Sequence, residues 1–330
     1  MIVMEQIIVN QSSLSGFLLL EFSELRELQI LYFVVFLAFY LAALTGNLLI
    51  ISAVAFDHHL HTPMYFFLMN LALQDLGSVS VIMPKSMANT ILNTRYISNL
   101  GCVAQVLFFL FFIASDFFLL TVMAYDRYIA ICKPLQYEML MNRQACTQMI
   151  ISVWIISFFY GVLHTGGTFA PPFCSNLVNQ FFCEVPELLK LTCSDLYLIE
   201  IGVLAFSLVI ALGCFIFIVV TYVYIFSSVL KIPSSAGRQK AFSTCLPHLI
   251  VCSLFVFTGY FAYLKPIFNS PPHLDLAFTV IYSMVPPLMN PVIYSMRNKE
   301  IKNALSKLLG LRHSSMNTFP NQLCKCKFCI

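Results

Sequence analysis

Long stretches of this chain carry no Asp, Glu, Lys or Arg, and they share a common length. Residues 28–56, 201–230, 241–264 and 276–296 are wholly uncharged, and 60–84 and 101–125 are interrupted only by Asp75 and Asp116. A further apolar window opens after Arg143 and runs to about Thr165, where Gly166, Gly167 and the pair Pro171 and Pro172 are expected to end the helix. About 20 mostly apolar residues cross the hydrocarbon of a bilayer as a helix, so the pattern predicts seven spans in an all-α bundle. After Asn298 the period changes, and Ile301, Leu305, Leu308 and Leu309 fall on one helical face among polar residues. That spacing predicts a short amphipathic helix along the membrane surface. The expected layout is a tail over 1–27, the bundle over 28–297, the amphipathic helix over 298–311 and a second tail over 312–330.

Composition sharpens this picture: 59% of the 330 residues are hydrophobic and 10% are charged, against roughly a quarter charged in soluble domains. Lys and Arg in short loops are retained on the cytoplasmic side. An external N-terminus puts Lys133, Arg143, Lys231, Arg238, Lys240, Arg297, Lys299, Lys302, Lys307 and Arg312 inside, and only Arg26, Lys85, Arg95, Lys190 and Lys265 outside. The net charge of +3 is then a topology signal; membrane lipid is an expected partner and nucleic acid is not. The first 27 residues hold acids and no basic start before an apolar core, so no cleavable signal peptide is expected. Asn10-Gln11-Ser12 matches the glycosylation acceptor pattern on the outer side. An odd number of spans without an internal repeat argues against a two-fold secondary transporter.

Candidate chemistry is sparse. Four of the twelve cysteines, Cys102, Cys174, Cys183 and Cys193, fall outside, where disulfides persist; four cysteines permit three pairings. Cys324, Cys326 and Cys329 lie in the inner tail, and the final Lys-Phe-Cys-Ile is not a prenylation box. Acids within a bilayer are costly and mark function or a packed polar seam. Asp75 and Asp116, with Asn47, Ser115 and Asn290 nearby in the spans, predict either a cation or proton site or such a seam. Pro247 interrupts the sixth span, and Pro286, Pro287 and Pro291 crowd the seventh, where proline kinks a helix. There is no nucleophile elbow, metal-ligand pair or phosphate loop, so neither catalysis, metal nor cofactor is expected.

Five motifs occur in order: Gly46-Asn47; Leu60-His61-Thr62-Pro63-Met64-Tyr65-Phe66-Phe67-Leu68; Met123-Ala124-Tyr125-Asp126-Arg127-Tyr128-Ile129-Ala130-Ile131-Cys132; Lys240-Ala241-Phe242-Ser243-Thr244-Cys245 with His248; and Pro291-Val292-Ile293-Tyr294-Ser295-Met296-Arg297-Asn298. Together they resemble the rhodopsin-like G-protein-coupled receptors, and more narrowly the vertebrate odorant receptors of the tetrapod type. The resemblance implies an odorant receptor of the plasma membrane and sensory cilia, binding a small volatile and activating a stimulatory olfactory-type heterotrimeric G protein that raises cyclic AMP. It implies bridges Cys102–Cys183 and Cys174–Cys193. It also implies a switch in which Asp126 holds Arg127 until activation, with Tyr128, Tyr222, Asn290 and Tyr294 beside it, and an interior ion site at Asn47, Asp75 and Asp116.

By the same resemblance the ligand cavity is lined by Phe109, Leu110, Ile113, Ala114, Phe206, Ser207, Ile210, Val256, Tyr260 and Tyr263. These residue types suit a small apolar volatile oriented by one hydroxyl, from Tyr263 or Ser207. Amine receptors carry an Asp where this chain has Phe109, so a cationic ligand would lack its counterion; the seventh span has no Lys for a retinal Schiff base. Some positions depart from the family pattern. The interval from Cys174 to Cys183 is one residue short, Asp116 stands for Glu, Met289 for Leu and Pro247 for Ser.

Overall fold

The structure is a computed structural model that describes residues 16–20, 25–92, 94–194, 197–231, 234–264 and 272–308. The side chains of Tyr197, Lys240, Tyr260 and Tyr263, among others inside the helices, lie outside the described residues. So do Asn10 and the three tail cysteines.

Seven long helices form the bundle: α1 (Arg26–Phe56), α2 (Pro63–Leu92), α3 (Asn99–Cys132), α5 (Arg143–Phe169), α7 (Tyr197–Leu230), α8 (Ser235–Leu264) and α9 (Pro272–Arg297). Short helices α4 (Tyr137–Leu140), α6 (Val185–Leu189) and α10 (Lys299–Leu308) lie between or after them. Six of the long helices are apolar enough over 18 residues to cross a membrane, and α8 contributes the apolar stretch Cys245–Phe257. Large apolar side chains cover the outside, with Phe159, Val209 and Phe257 each about two-thirds exposed. Such a surface would drive a soluble monomer to associate; against lipid tails it costs nothing.

The helices overrun the uncharged windows. α3 continues to Cys132, so Asp126 and Arg127 sit inside a regular helix. α2 continues past Pro84 to Leu92, and Lys85 on it donates from Nζ to the carbonyls of Thr94 (2.8 Å) and Tyr96 (2.7 Å). Charge-free windows mark hydrocarbon thickness, whereas the backbone ladder extends until a turn or proline stops it. The expected break at Gly166 and Gly167 is absent: α5 runs through both to Phe169 and ends before Pro171. A glycine inside a helix costs only about 1 kcal/mol, which packing offsets here.

The bundle is also not purely helical. β1 (Gly16–Leu19) lies between β2 (Tyr96–Ser98), with which it is antiparallel, and β3 (Leu177–Val178), with which it is parallel. Part of the expected N-terminal tail is therefore the middle strand of a small sheet. Phe17 and Leu19 are buried beneath it, and the Phe17 ring meets Phe173 edge-on at 5.1 Å. Both bridges, Cys102–Cys183 and Cys174–Cys193, lie at this end and match the pairing that the resemblance implied.

At the opposite end α10 buries Ile301 and Ala304. Tyr65 donates to Glu300 (2.6 Å) and accepts from Asn298 Nδ2 (2.9 Å), while Lys307 reaches Asp57 (3.2 Å). Hydrogen bonds from the His59 side chain and backbone, and then Lys307, hold the Asp57 carboxyl down at about 2, so it stays charged at neutral pH.

Close packing of α2 on α3 depends on Gly77, whose Cβ would lie 2.2 Å from the Phe112 ring. Gly77→Leu should destabilise the bundle by about 1–3 kcal/mol through overpacking. Its unfolding midpoint in detergent should fall by several degrees; an unchanged midpoint would show that the Phe112 ring swings aside without loss.

Candidate functional site

At the disulfide end, α3 presents Val106, Phe109 and Leu110, spaced so that all three share one helical face. The Cys102–Cys183 bridge fixes the following loop across that face, bringing Glu184 and Val185 over it, and Tyr282 of α9 closes the far side. The recess so formed is filled by its own side chains and leaves about 0 Å³ of free cavity volume, against the roughly 300–1,000 Å³ of ordinary ligand pockets. Phe109 packs edge-on to Phe182 at 5.0 Å and tilted to Tyr282 at 6.0 Å.

Of the ten expected lining residues, Phe109 and Leu110 line this recess. Ala114 is buried and Ile113 partly buried further along α3. Phe206 (62% exposed) and Ile210 (38% exposed) point outward from α7 and do not line it. The physical reason is helical period: on a helix surrounded mainly by lipid, an apolar residue is as acceptable outside as inside. Ser207 faces α5 and is hydrogen-bonded to His164 at 2.8 Å. Val256 is half-buried on α8.

Val106, Cys183, Glu184, Val185 and Tyr282 were not foreseen as lining. Val106 was legible as one turn after Cys102, and the loop residues follow from the bridge. Glu184 matters most, because it is buried and accepts from Tyr282 (2.9 Å) and Thr279 (3.3 Å). A carboxylate thus enters the recess wall from the loop, an acidic group that position 109 itself does not supply.

Deeper in the bundle, Asn290 Nδ2 donates to both carboxylate oxygens of Asp75, at 3.2 and 3.0 Å. Asp116 is buried within electrostatic reach of Asp75, and its Oδ1 and the Ser115 hydroxyl lack hydrogen-bond partners among the described residues. Two acids in one dry interior need a proton or a cation to balance them. Asn47 takes another role, donating to the carbonyls of Ala43 (3.0 Å) and Pro287 (2.9 Å) and so pinning α1 to α9.

At the end of α3, Asp126 and Arg127 form a close, buried ion pair. Tyr137 of α4 donates to the other Asp126 oxygen at 2.8 Å. Burial, reinforced by Asp126, pushes the Tyr137 hydroxyl well above its ordinary range, so it remains a donor. Tyr128 lies beside Tyr224 on α7, ring centroids 6.1 Å apart. Tyr222 is hydrogen-bonded to His248 Nδ1 at 2.6 Å, and His248 Nε2 donates to the Leu120 carbonyl at 2.9 Å. One histidine thereby ties α8 to α7 and α3, a contact that no local pattern announced. Tyr294 is buried with its hydroxyl unpartnered among the described residues.

Comparison with known proteins agrees with this arrangement. A family model described as "Olfactory receptor" matches residues 36–312. Olfactory receptor 14A2 of Homo sapiens is 48% identical over 301 residues, 91% of this chain and 96% of that protein. Olfactory receptor 14J1 of Homo sapiens is 49% identical over 303 residues, 92% and 94% of the two chains. Among solved structures, squid rhodopsin is similar with a TM-score of 0.63 at 15% identity, covering 87% of each chain, a likeness of fold. With a family model across most of its length and relatives near half identity over nine-tenths of it, this chain belongs to the olfactory receptor family.

Proposed function

We propose that this multi-pass receptor binds a small, largely apolar volatile at the disulfide end and activates a stimulatory olfactory-type heterotrimeric G protein, raising cyclic AMP. In this reading the N-terminus is extracellular, the receptor sits in lipid of sensory cilia, and its family makes it a signalling protein and not an enzyme. The observation that carries the proposal is that recess and switch share one helix. Phe109 and Arg127 lie 18 residues apart on α3, about 27 Å at 1.5 Å per residue.

A ligand wedged between Phe109, Glu184 and Tyr282 changes how α3 packs on α9 and on the loop. The Asp126–Arg127 pair and the Tyr222–His248–Leu120 tie hold the opposite end of α3. Ligand and G protein then bias the same two-state element, as linkage requires. The ion pair is suited to this because charges held out of water stay together until a partner replaces the lost contacts.

In cells expressing the chain with the olfactory G protein, some members of a diverse volatile panel should raise cyclic AMP, and Arg127→Ala should abolish the response at matched surface expression. Retention of the full response by the variant would contradict the switch assignment. The paired substitution Tyr263→Phe with Ser207→Ala should weaken agonist potency about tenfold or more, the loss of an orienting hydrogen bond. Unchanged potency at equal surface expression would remove both hydroxyls from the ligand site.

A further inference from the structure

Among the described residues, Glu184 is the one charged side chain that lines the recess. It is 2% exposed, and its two carboxylate oxygens accept from Tyr282 at 2.9 Å and Thr279 at 3.3 Å. Since both oxygens accept, neither carries a hydrogen. The backbone around it is fixed as well: the Leu188 N–H donates to the Glu184 carbonyl at 3.0 Å, and the Cys183 N–H donates to Gln105 Oε1 at 2.8 Å.

We propose that Glu184 makes the recess an acceptor surface that selects volatiles bearing a hydroxyl hydrogen, namely alcohols and phenols, over ketones and aldehydes. The inference rests on the reading above, that a volatile binds at the disulfide end between Phe109, Glu184 and Tyr282.

The selection follows from counting hydrogens along the wall. Val106, Phe109, Leu110 and Val185 have apolar side chains, and Cys183 gave up its thiol hydrogen in the bridge to Cys102. The Tyr282 hydroxyl hydrogen is directed at Glu184. Among the described lining residues no other side-chain hydrogen is there to donate, whereas the carboxylate and phenol oxygens both accept. A carboxylate offers about four lone-pair positions, so it can take a ligand hydrogen beside those of Tyr282 and Thr279.

The rings that fill the recess meet edge-on or tilted, Phe109 against Phe182 at 5.0 Å and against Tyr282 at 6.0 Å. The carbon skeletons of an alcohol and of its ketone replace those apolar contacts equally, so the difference between the two ligands falls on the oxygen. An alcohol donates to the carboxylate, and a hydrogen bond to an ionised acceptor is stronger than one between neutral groups. A ketone brings a carbonyl oxygen to a wall of acceptors. That oxygen loses water and gains no hydrogen in return, which is unfavourable.

The test compares secondary alcohols with the ketones of the same carbon skeleton, across straight-chain, cyclic and aromatic pairs, in the cyclic AMP assay at matched surface expression. For each skeleton that activates, the alcohol should be about three- to tenfold more potent. Glu184→Gln, whose amide donates as well as accepts, should bring the ratio near one, and so should Glu184→Met, which has no strong acceptor. Tyr282→Phe, which loosens the tie between loop and α9 but leaves the carboxylate, should preserve it. A purely structural role for Glu184 would make its variants behave like Tyr282→Phe, lowering both potencies together and leaving the ratio alone. A ratio near one or favouring ketones in the intact receptor, a comparison that needs no variant, overturns the selection. So does a ratio unmoved by Glu184→Gln, or activation by oxygen-free volatiles alone. Silence toward every volatile at confirmed surface expression contradicts the receptor reading itself, and this one with it.

Discussion

Hydrocarbon offers no hydrogen-bond partners, so every backbone N–H and C=O within it must be satisfied by the chain, and that constraint shapes the rest of the molecule. It forces the spans into helices and keeps strands at the membrane's edge. The small sheet of β1, β2 and β3 obeys it, forming only where the chain leaves the bundle and where two disulfides hold the loop in place. The same constraint governs side chains. Interior polar groups such as Asn47, Asp75 and His248 are kept there by particular partners, and those partners define the working parts.

Seen this way, α3 is the common axis. Its first turns carry Cys102 and the recess residues, its middle carries Ser115 and Asp116, and its end carries Asp126 and Arg127. Neighbouring helices touch it through few polar contacts. Gln105 on α3 accepts from the Cys183 backbone and donates to the Val81 carbonyl, linking loop, α3 and α2. The His248 tie to Leu120 does the same for α7 and α8. A close-packed interior transmits a displacement in steps and does not absorb it, so a ligand pressing on Phe109 has a route to Arg127.

The fold was largely legible in the sequence, because uncharged windows of bilayer length leave little choice of architecture. The bridges, the inward position of Asp75 beside Asn290 and the Asp126–Arg127 pair were legible from motifs. The lining of the recess was less so. Phe206, Ser207 and Ile210 are close together on α7, yet two face outward and one faces α5, because an apolar sequence surrounded by lipid loses the polar-versus-apolar contrast that marks a buried face in water. Glu184 and Tyr282 escaped notice because their roles depend on where a disulfide folds the loop. Gly166 and Gly167 read as a stop signal, while the structure uses Gly167 to admit Glu200. Strand β1 was hidden in four residues whose pairing partners lie about 80 and 160 positions along the chain.

If α3 works as proposed, recess and switch are energetically coupled through it. Coupling between two binding sites is reciprocal, typically by 5- to 150-fold. The most direct measurement is therefore the affinity of one active volatile for the purified receptor with and without nucleotide-free G protein, in the intact chain and in Arg127→Ala. Affinity should be at least about fivefold tighter in the presence of G protein, with no such gain in the variant. Equal affinity in the two conditions, with G protein demonstrably bound, would contradict it.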